Sequence, residues 1–274
     1  MAAPAAAAAG GAGAAGVSHS LMPEVISTYG DEVDRLFYII LAITLVMLVL
    51  VFALFGIFVV KYRYQEGRRA VYTHGSSKLE WTWTAATAAV LIWLVFAQRE
   101  TWIKIKQADL DAFKNPYLVR VFGEQFVWHF VYPGSDGKFE PQDVKDIFQG
   151  VNPVGLKAPK NDVYKQSLVV PDDVPVILEI NSLGKYDQDK QIETVGVLHS
   201  FFQPNLRLKQ DLVPFHPAKI WFQVKKGKTG IYEIACAELC GLGHFTMRAD
   251  MKVLGDDELN TELGYDWKAT PAKF

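Results

Sequence analysis

The sequence predicts a hairpin of two membrane-spanning helices followed by an all-β domain, an antiparallel sandwich or barrel. Two uncharged apolar runs, residues 36–60 and 81–97, predict the helices. After Trp102 the apolar residues fall into many short runs separated by Pro, Gly, Asp and Asn, with no long amphipathic helix pattern. The chain is therefore expected to consist of a membrane anchor joined to a β-rich domain.

The two apolar runs differ in how strongly they predict a membrane-spanning helix. Residues 36–60 are apolar on every face, and at roughly 1.5 Å per residue they would cross a hydrocarbon core of about 30 Å. Residues 81–97 form a shorter run that contains three threonines. Trp81, Trp83 and Trp102 bracket this run in the manner of an interfacial aromatic belt. One membrane helix with a second, buried helix is the weaker interpretation.

Charges around the two runs predict the orientation of the hairpin. The loop between them, residues 61–80, carries five Lys or Arg residues, whereas the residues before the first run are mainly acidic. The positive-inside rule places this loop in the cytoplasm and both termini outside, although basic residues also follow the second run. We therefore expect a hairpin over residues 34–102 and an extracytoplasmic domain over residues 103–274.

Residues 1–33 are predicted to form a disordered tail and lead-in. They begin MAAPAAAAAGGAGAAG, a low-complexity Ala/Gly stretch without the basic region and bulky apolar core of a secretory signal. A processed leader is the alternative interpretation of this stretch. The whole chain carries 28 basic and 30 acidic residues, and this balance argues against nucleic acid as a partner.

The segment EQFVWHFVYPGSDGKF has the alternation of a β-strand followed by turns. One side of this strand is aromatic: Phe126, Trp128, Phe130 and Tyr132. Short apolar runs with the same character recur to the end of the domain. Residues 141–166 follow no such pattern and are expected to form a long connection.

The stretch IACAELCGLGHFTM contains both cysteines of the chain, Cys236 and Cys240, followed by His244 and Met247. Thiolate, imidazole and thioether are ligands of a soft, redox-active metal, whereas Mg²⁺ and Ca²⁺ prefer oxygen. In an oxidising compartment the cysteine pair alone would favour a disulfide, and one more histidine would complete a zinc site. Both of these alternatives leave Met247 without a role. Two cysteines would also be enough to bridge a second copper ion.

A second histidine ligand would have to come from elsewhere in the β-domain, which offers His129, His199 and His216. His199 ends an apolar run in VGVLHSFF. For a lone histidine in that position, a structural role is the preferred interpretation.

The run CAELCGLGHFTM, together with VLHS and a preceding membrane hairpin, resembles subunit II of the heme–copper cytochrome c oxidases. The family pattern is Cys-x-Glu-x-Cys-x-x-x-His-x-x-Met with an upstream histidine, and each of its positions is filled here. The resemblance implies a Greek-key cupredoxin fold that holds the dinuclear copper centre CuA. Six residues are implied as its ligands: His199, Cys236, Glu238, Cys240, His244 and Met247.

The resemblance also assigns these ligands their roles. Cys236 and Cys240 would bridge both copper ions, and the two histidines would each bind one of them. Met247 and the backbone carbonyl of Glu238 would be weak ligands, while the Glu238 side chain would bind a Mg²⁺ shared with subunit I. Glu80 matches the glutamate at the cytoplasmic entry of a proton channel; the alternative is a solvated carboxylate at a helix N-terminus.

The implied function is that of an electron-transfer subunit in an oxidoreductase that is also a translocase. Electrons would pass from cytochrome c to the copper centre and then to heme in subunit I, where O₂ is reduced to water with proton pumping. The partners would be subunit I, other oxidase subunits, cytochrome c and the lipid bilayer. The location would be the bacterial plasma membrane, with the copper domain on the periplasmic side.

The sequence departs from the family near the expected donor-binding face. Phe126 stands where the family has its electron-entry tryptophan, so Trp128, two residues on, is a second candidate for electron entry; the alternative is that both are core aromatics. Gly196 stands where the family has an aspartate, and residues 183–194 form an additional polar segment. Phe215 and the residue after it stand where the family usually has Gly-Arg. We expect an altered docking surface, suited to a tethered or membrane-bound cytochrome c.

Four other functions are alternatives. A CuA subunit of a nitric oxide reductase would show the same copper residues. A copper-delivery thiol protein would have one membrane helix and commonly Pro after its second cysteine, where this chain has Gly241. A disulfide or zinc domain would give Met247 and Glu238 no role, and quinol-oxidase subunits lack this ligand set.

Overall fold

The computed structural model describes residues 21–69, 71–139, 162–183, 185–187, 192–194 and 196–269. The Ala/Gly tail up to residue 20 lies outside the described residues. Most of the connection predicted over residues 141–166 also lies outside them.

Two long helices confirm the predicted hairpin. Helix α1 covers Gly30–Lys61 and α2 covers Ser77–Lys106, and both are long and apolar enough to cross a membrane. They extend beyond the predicted runs at both ends, so the connecting loop is shorter than residues 61–80. Acidic residues in the first turn of α1 and basic residues in the last turn of α2 favour these extensions, because each complements the helix dipole.

The lead-in before α1 is packed on the β-domain, which corrects the disorder predicted through residue 33. Ile26 and Tyr29 are fully buried, and Ser27 forms an isolated β-bridge with Val224. The Ile26 N–H donates to the Asn205 carbonyl. The prediction was wrong for residues 21–33 because apolar side chains in this short segment find their partners in strands almost 200 residues later.

Ion pairs continue this attachment into the first turns of α1. Arg207 donates to both carboxylate oxygens of Asp34, at 2.6 and 2.9 Å, and its side chain is almost fully buried. Lys225 pairs with Asp31 at 2.7 Å. These contacts fix the start of α1 against the β-domain and place the lead-in on the same side as that domain.

Within the described residues, the β-domain contains two five-stranded sheets and a separate two-stranded hairpin. The strands are β1 Tyr117–Glu124, β2 Val127–Tyr132, β3 Val163–Lys165, β4 Leu168–Pro171, β5 Pro175–Ser182, β6 Lys185–Asp187, β7 Ile192–Thr194, β8 His199–Gln203, β9 Leu208–Leu212, β10 Ala218–Gln223, β11 Gly230–Cys236 and β12 Arg248–Leu254. The first sheet has the order β10-β5-β1-β2-β3 and the second β4-β12-β11-β8-β9.

Strand pairing is mixed rather than wholly antiparallel. β1 pairs with β5, and β4 with β12, in parallel, while the other strand pairs are antiparallel. The β-sandwich class is confirmed, but the antiparallel expectation fails for these two pairs because alternation along a strand carries no information on its neighbour's direction.

The core lies between the two sheets and includes the aromatic side of β2. Trp128, Phe130 and Tyr132 are buried there, opposite Phe201 of β8. A short helix, α3 (Asp256–Leu263), adds two buried leucines to this core. The additional polar segment forms the β6–β7 hairpin outside both sheets.

Candidate metal centre

The predicted donors meet at one end of the second sheet. His199 begins β8, and Cys236 ends its neighbour β11, where it lies opposite Phe201. A loop over residues 237–247 carries the remaining donors and leads into β12. Strand pairing therefore brings the histidine beside a cysteine 37 residues away.

Sulfur and nitrogen donors face each other across short distances. The Sγ atoms of Cys236 and Cys240 are 3.9 Å apart, and both cysteines are free. His199 Nδ1 lies 3.9 Å from Cys236 Sγ, and the ligand atoms of His199 and both cysteines all lie within 4.8 Å of one another. His244 Nδ1 lies 3.6 Å from Cys240 Sγ. This donor set fits a soft metal held between two thiolates.

Met247 and the Glu238 carbonyl complete the group. Met247 is fully buried, with its Sδ 3.9 Å from Cys240 Sγ. The Glu238 carbonyl oxygen lies 3.2 Å from Cys236 Sγ, while its side chain is half-buried. The Cys236 N–H also donates to the Met247 carbonyl at 3.1 Å, which closes the loop on itself.

Burial has opposite consequences for the imidazole and the thiol as metal ligands. It lowers the pKa of the His199 imidazole to about 4, with a smaller contribution from His244, so the ring is neutral near pH 7. Burial, reinforced by the neighbouring Cys236, raises the pKa of the Cys240 thiol to about 11. A neutral imidazole is ready to bind a metal, whereas the thiols must release protons as the metal enters.

Trp128 lies beneath the donors rather than at the surface. It is 1% exposed, its indole N–H donates to the Met247 carbonyl at 3.4 Å, and its ring lies 6.2 Å from that of His199. Its burial matches the core-aromatic alternative, so any electron that passes through Trp128 must first cross other residues.

Phe126 lies in the β1–β2 turn, against the ligand loop. A Cβ at Gly243 would come within 2.4 Å of the Phe126 ring, and one at Gly241 within 3.1 Å. The neighbouring Gln125 donates from its side-chain amide to the Cys240 carbonyl. Gln125 was not among the predicted site residues, although its position beside Phe126 could have indicated this contact to the loop.

The remaining predicted residues lie apart from the donors. His129 is buried on the other face of β2, and His216 is exposed in the turn before β10. Glu80 is exposed in the first turn of α2, at the opposite end of that helix from the β-domain.

Three apolar side chains of the loop that carries the half-buried His244 are exposed. Leu239, Leu242 and Phe245 are 78%, 98% and 76% exposed. We call these three residues the apolar rim. The group of donors therefore has a packed floor at Trp128 and an apolar outer edge.

The fold and these donors define a β-sandwich metal-binding domain on a membrane hairpin, and comparison with known proteins agrees. Residues 117–253 match the family described as cytochrome C oxidase subunit II, periplasmic domain, and residues 17–98 match its transmembrane domain. The chain belongs to the cytochrome c oxidase subunit II family.

Individual relatives carry the same family name. The chain is 31% identical over 205 residues to alternative cytochrome c oxidase subunit 2 of Bradyrhizobium diazoefficiens, covering 75% of this chain and 69% of that protein. It is 26% identical to cytochrome c oxidase subunit 2 of Cereibacter sphaeroides, covering 72% of this chain and 64% of the relative. The corresponding protein of Alkalihalophilus pseudofirmus is 31% identical and is covered over 55% of its length.

A solved periplasmic domain of cytochrome oxidase subunit II, from Bradyrhizobium japonicum, aligns with 57% of this chain and 97% of that structure, at 25% identity and a TM-score of 0.38.

The contact between Phe126 and Gly243 generates a test of the loop geometry. We expect Gly243→Ala to lower the free energy of unfolding by about 1–3 kcal/mol, because the added methyl group overpacks against the ring. The thermal unfolding midpoint of the detergent-solubilised chain measures this effect.

Gly255→Ala is the matched control, since a Cβ there meets no atom within 4 Å. In a Phe126→Ala background, Gly243→Ala should have little further effect. An equal loss of stability in both backgrounds would contradict the proposed contact.

Proposed function

We propose that the chain is the electron-transfer subunit of a heme–copper terminal oxidase and that its donor group holds the dinuclear CuA centre. The observation that carries this proposal is the convergence of two free thiols, two imidazoles and a buried thioether within one loop and one neighbouring strand. Zinc or a disulfide would use only part of this set. The relatives' names favour cytochrome c oxidase over a nitric oxide reductase.

The proposed ligands divide into bridging, terminal and weak. Cys236 and Cys240 would be the bridging thiolates, because each lies beside one imidazole and both lie beside each other. His199 and His244 would each be a terminal ligand. Met247 lies beside Cys240, and the Glu238 carbonyl beside Cys236, where each would be a weak ligand.

When bound, the copper pair supplies a one-electron redox centre whose charge change is spread over two ions. The protein's part is to hold the donors still. His199 and Cys236 belong to hydrogen-bonded strands, and backbone hydrogen bonds tie Ala237 to Ser200 and Cys236 to Met247. Fixed donors reduce the rearrangement that accompanies each electron.

Electrons are proposed to come from cytochrome c and to pass to heme in subunit I, where O₂ is reduced to water with proton pumping. The packed lead-in and the basic loop of the hairpin support a β-domain on the periplasmic side of a bacterial plasma membrane. The role of the Glu238 side chain toward Mg²⁺ stays a prediction.

The ligand roles predict different outcomes for two substitutions. Cys236→Ser should abolish the visible absorption of the copper centre, because it removes a bridging thiolate. Met247→Leu should keep both copper ions and change mainly the reduction potential, because it removes only a weak axial ligand. Redox titration followed by visible spectroscopy distinguishes the two.

Met251→Leu is the control for Met247→Leu, since Met251 is equally buried but lies outside the donor group, on β12. A Cys236→Ser variant that kept the full copper spectrum would refute the bridging role.

The apolar rim supports the proposal of an altered docking surface for the donor. An apolar contact depends little on ionic strength, whereas contacts between charged surfaces weaken with salt. We expect Leu242→Gln to raise the KM for the cytochrome c donor roughly fivefold, as the loss of about 1 kcal/mol implies.

The control is Leu21→Gln, because Leu21 is 77% exposed on the lead-in, away from the rim. Steady-state oxidation of the donor at low and high salt provides the measurement. If the KM rose steeply with salt and was the same in the Leu242→Gln variant as in the unmodified protein, the docking surface would be charged.

We propose Glu80 as the proton donor at the cytoplasmic end of the hairpin, on the basis of its exposed position in the first turn of α2. Glu80→Gln should slow proton uptake by the assembled oxidase and leave the copper spectrum unchanged, because the residue lies at the far end of α2. Unchanged proton uptake would leave Glu80 with only a capping role.

A further inference from the structure

Three polar side chains form a hydrogen-bonded chain on the outer face of the first sheet. Glu124 Oε2 lies 3.0 Å from His129 Nε2, and His129 Nδ1 lies 2.9 Å from the Tyr164 hydroxyl. The His129 side chain is only 4% exposed and that of Glu124 20%. None of the copper ligands belongs to this chain of contacts, so the proposed function leaves it unexplained.

The chain of contacts lies directly behind the metal centre. Gly123, immediately before Glu124, packs on the His199 ring: a Cβ there would lie 3.1 Å from His199 Cδ2. Gln125, immediately after it, donates to the Cys240 carbonyl. Glu124 is thus flanked on both sides by residues that contact metal ligands.

The hydrogen-bond directions favour a negative charge on this group. The Tyr164 hydroxyl, 2.9 Å from His129 Nδ1, is placed to donate its hydrogen to this nitrogen. An acceptor at Nδ1 makes His129 the neutral tautomer that carries its hydrogen on Nε2, and this hydrogen is donated to Glu124. These directions are those of an ionised carboxylate, which accepts hydrogen bonds and donates none.

We propose that His129 and Tyr164 hold the Glu124 carboxylate behind His199 as a fixed negative charge that lowers the reduction potential of the metal centre. A negative charge favours the oxidised centre, which carries one more positive charge than the reduced one. Glu124 is therefore a positioning residue for charge and not a ligand, and its role rests on the proposed copper site.

The test is a redox titration of the copper-loaded full chain in detergent, comparing Glu124→Gln with the unmodified protein. At a fixed ambient potential, Glu124→Gln should raise the ratio of reduced to oxidised centre by roughly threefold to tenfold, and a tenfold change corresponds to about 59 mV for one electron. The visible spectrum should stay the same, because glutamine keeps the shape and an acceptor for His129.

Glu179→Gln is the matched control. Glu179 is a carboxylate of similar exposure on the neighbouring strand, paired with Arg120 and farther along the sheet from the donors. Its removal should leave the potential unchanged. Equal shifts for Glu124→Gln and Glu179→Gln, or no shift for either, would overturn the inference.

Glu124→Asp resolves the case in which Glu124→Gln loses copper. Aspartate keeps the charge, so retention of copper at an unaltered potential supports the requirement for charge. Loss of copper in both variants would show a purely structural role and overturn the inference. If the unmodified chain bound no copper, the proposed function itself would fail, and this result is distinct from an unchanged potential.

Discussion

The pairing register between β8 and β11 is the constraint on which the metal centre depends. It sets Cys236 opposite Phe201, two residues from His199, so that sulfur and imidazole come within 3.9 Å. A slip of one residue would turn one of these side chains to the other face of the sheet. The loop then returns to the same strand end, where the Met247 carbonyl accepts the Cys236 N–H. The donors are therefore positioned by backbone hydrogen bonds.

Physical demands explain which parts could be predicted from the sequence. A membrane span requires a long apolar run, and a soft metal requires thiolate, imidazole and thioether donors, so residues 36–60 and the group around Cys236 stand out. The packing of Ile26 and the burial of Trp128 could not be predicted, because both depend on strands distant in sequence. The alternation of aromatic residues along β2 showed which of its side chains share a face of the sheet. It did not show that this face lies in the core.

The surroundings of the donors differ from one side to the other in ways that suit electron transfer. Trp128 and Phe201 form a rigid apolar floor, whereas His244 lies at the edge among exposed apolar side chains. Behind His199, the contacts through His129 keep a carboxylate close to the centre without exposing it fully to solvent. Packing thus fixes the positions of the donors on one side, while the loop is open to solvent on the other.

In the proposed metal centre, the donors bind two copper ions that share one unpaired electron. The most direct test of this proposal is mass spectrometry of the purified, copper-loaded full chain, combined with EPR of the oxidised state. We expect two coppers per chain and a hyperfine pattern from an electron delocalised over both nuclei. A single zinc ion, or no metal and a Cys236–Cys240 disulfide, would contradict it.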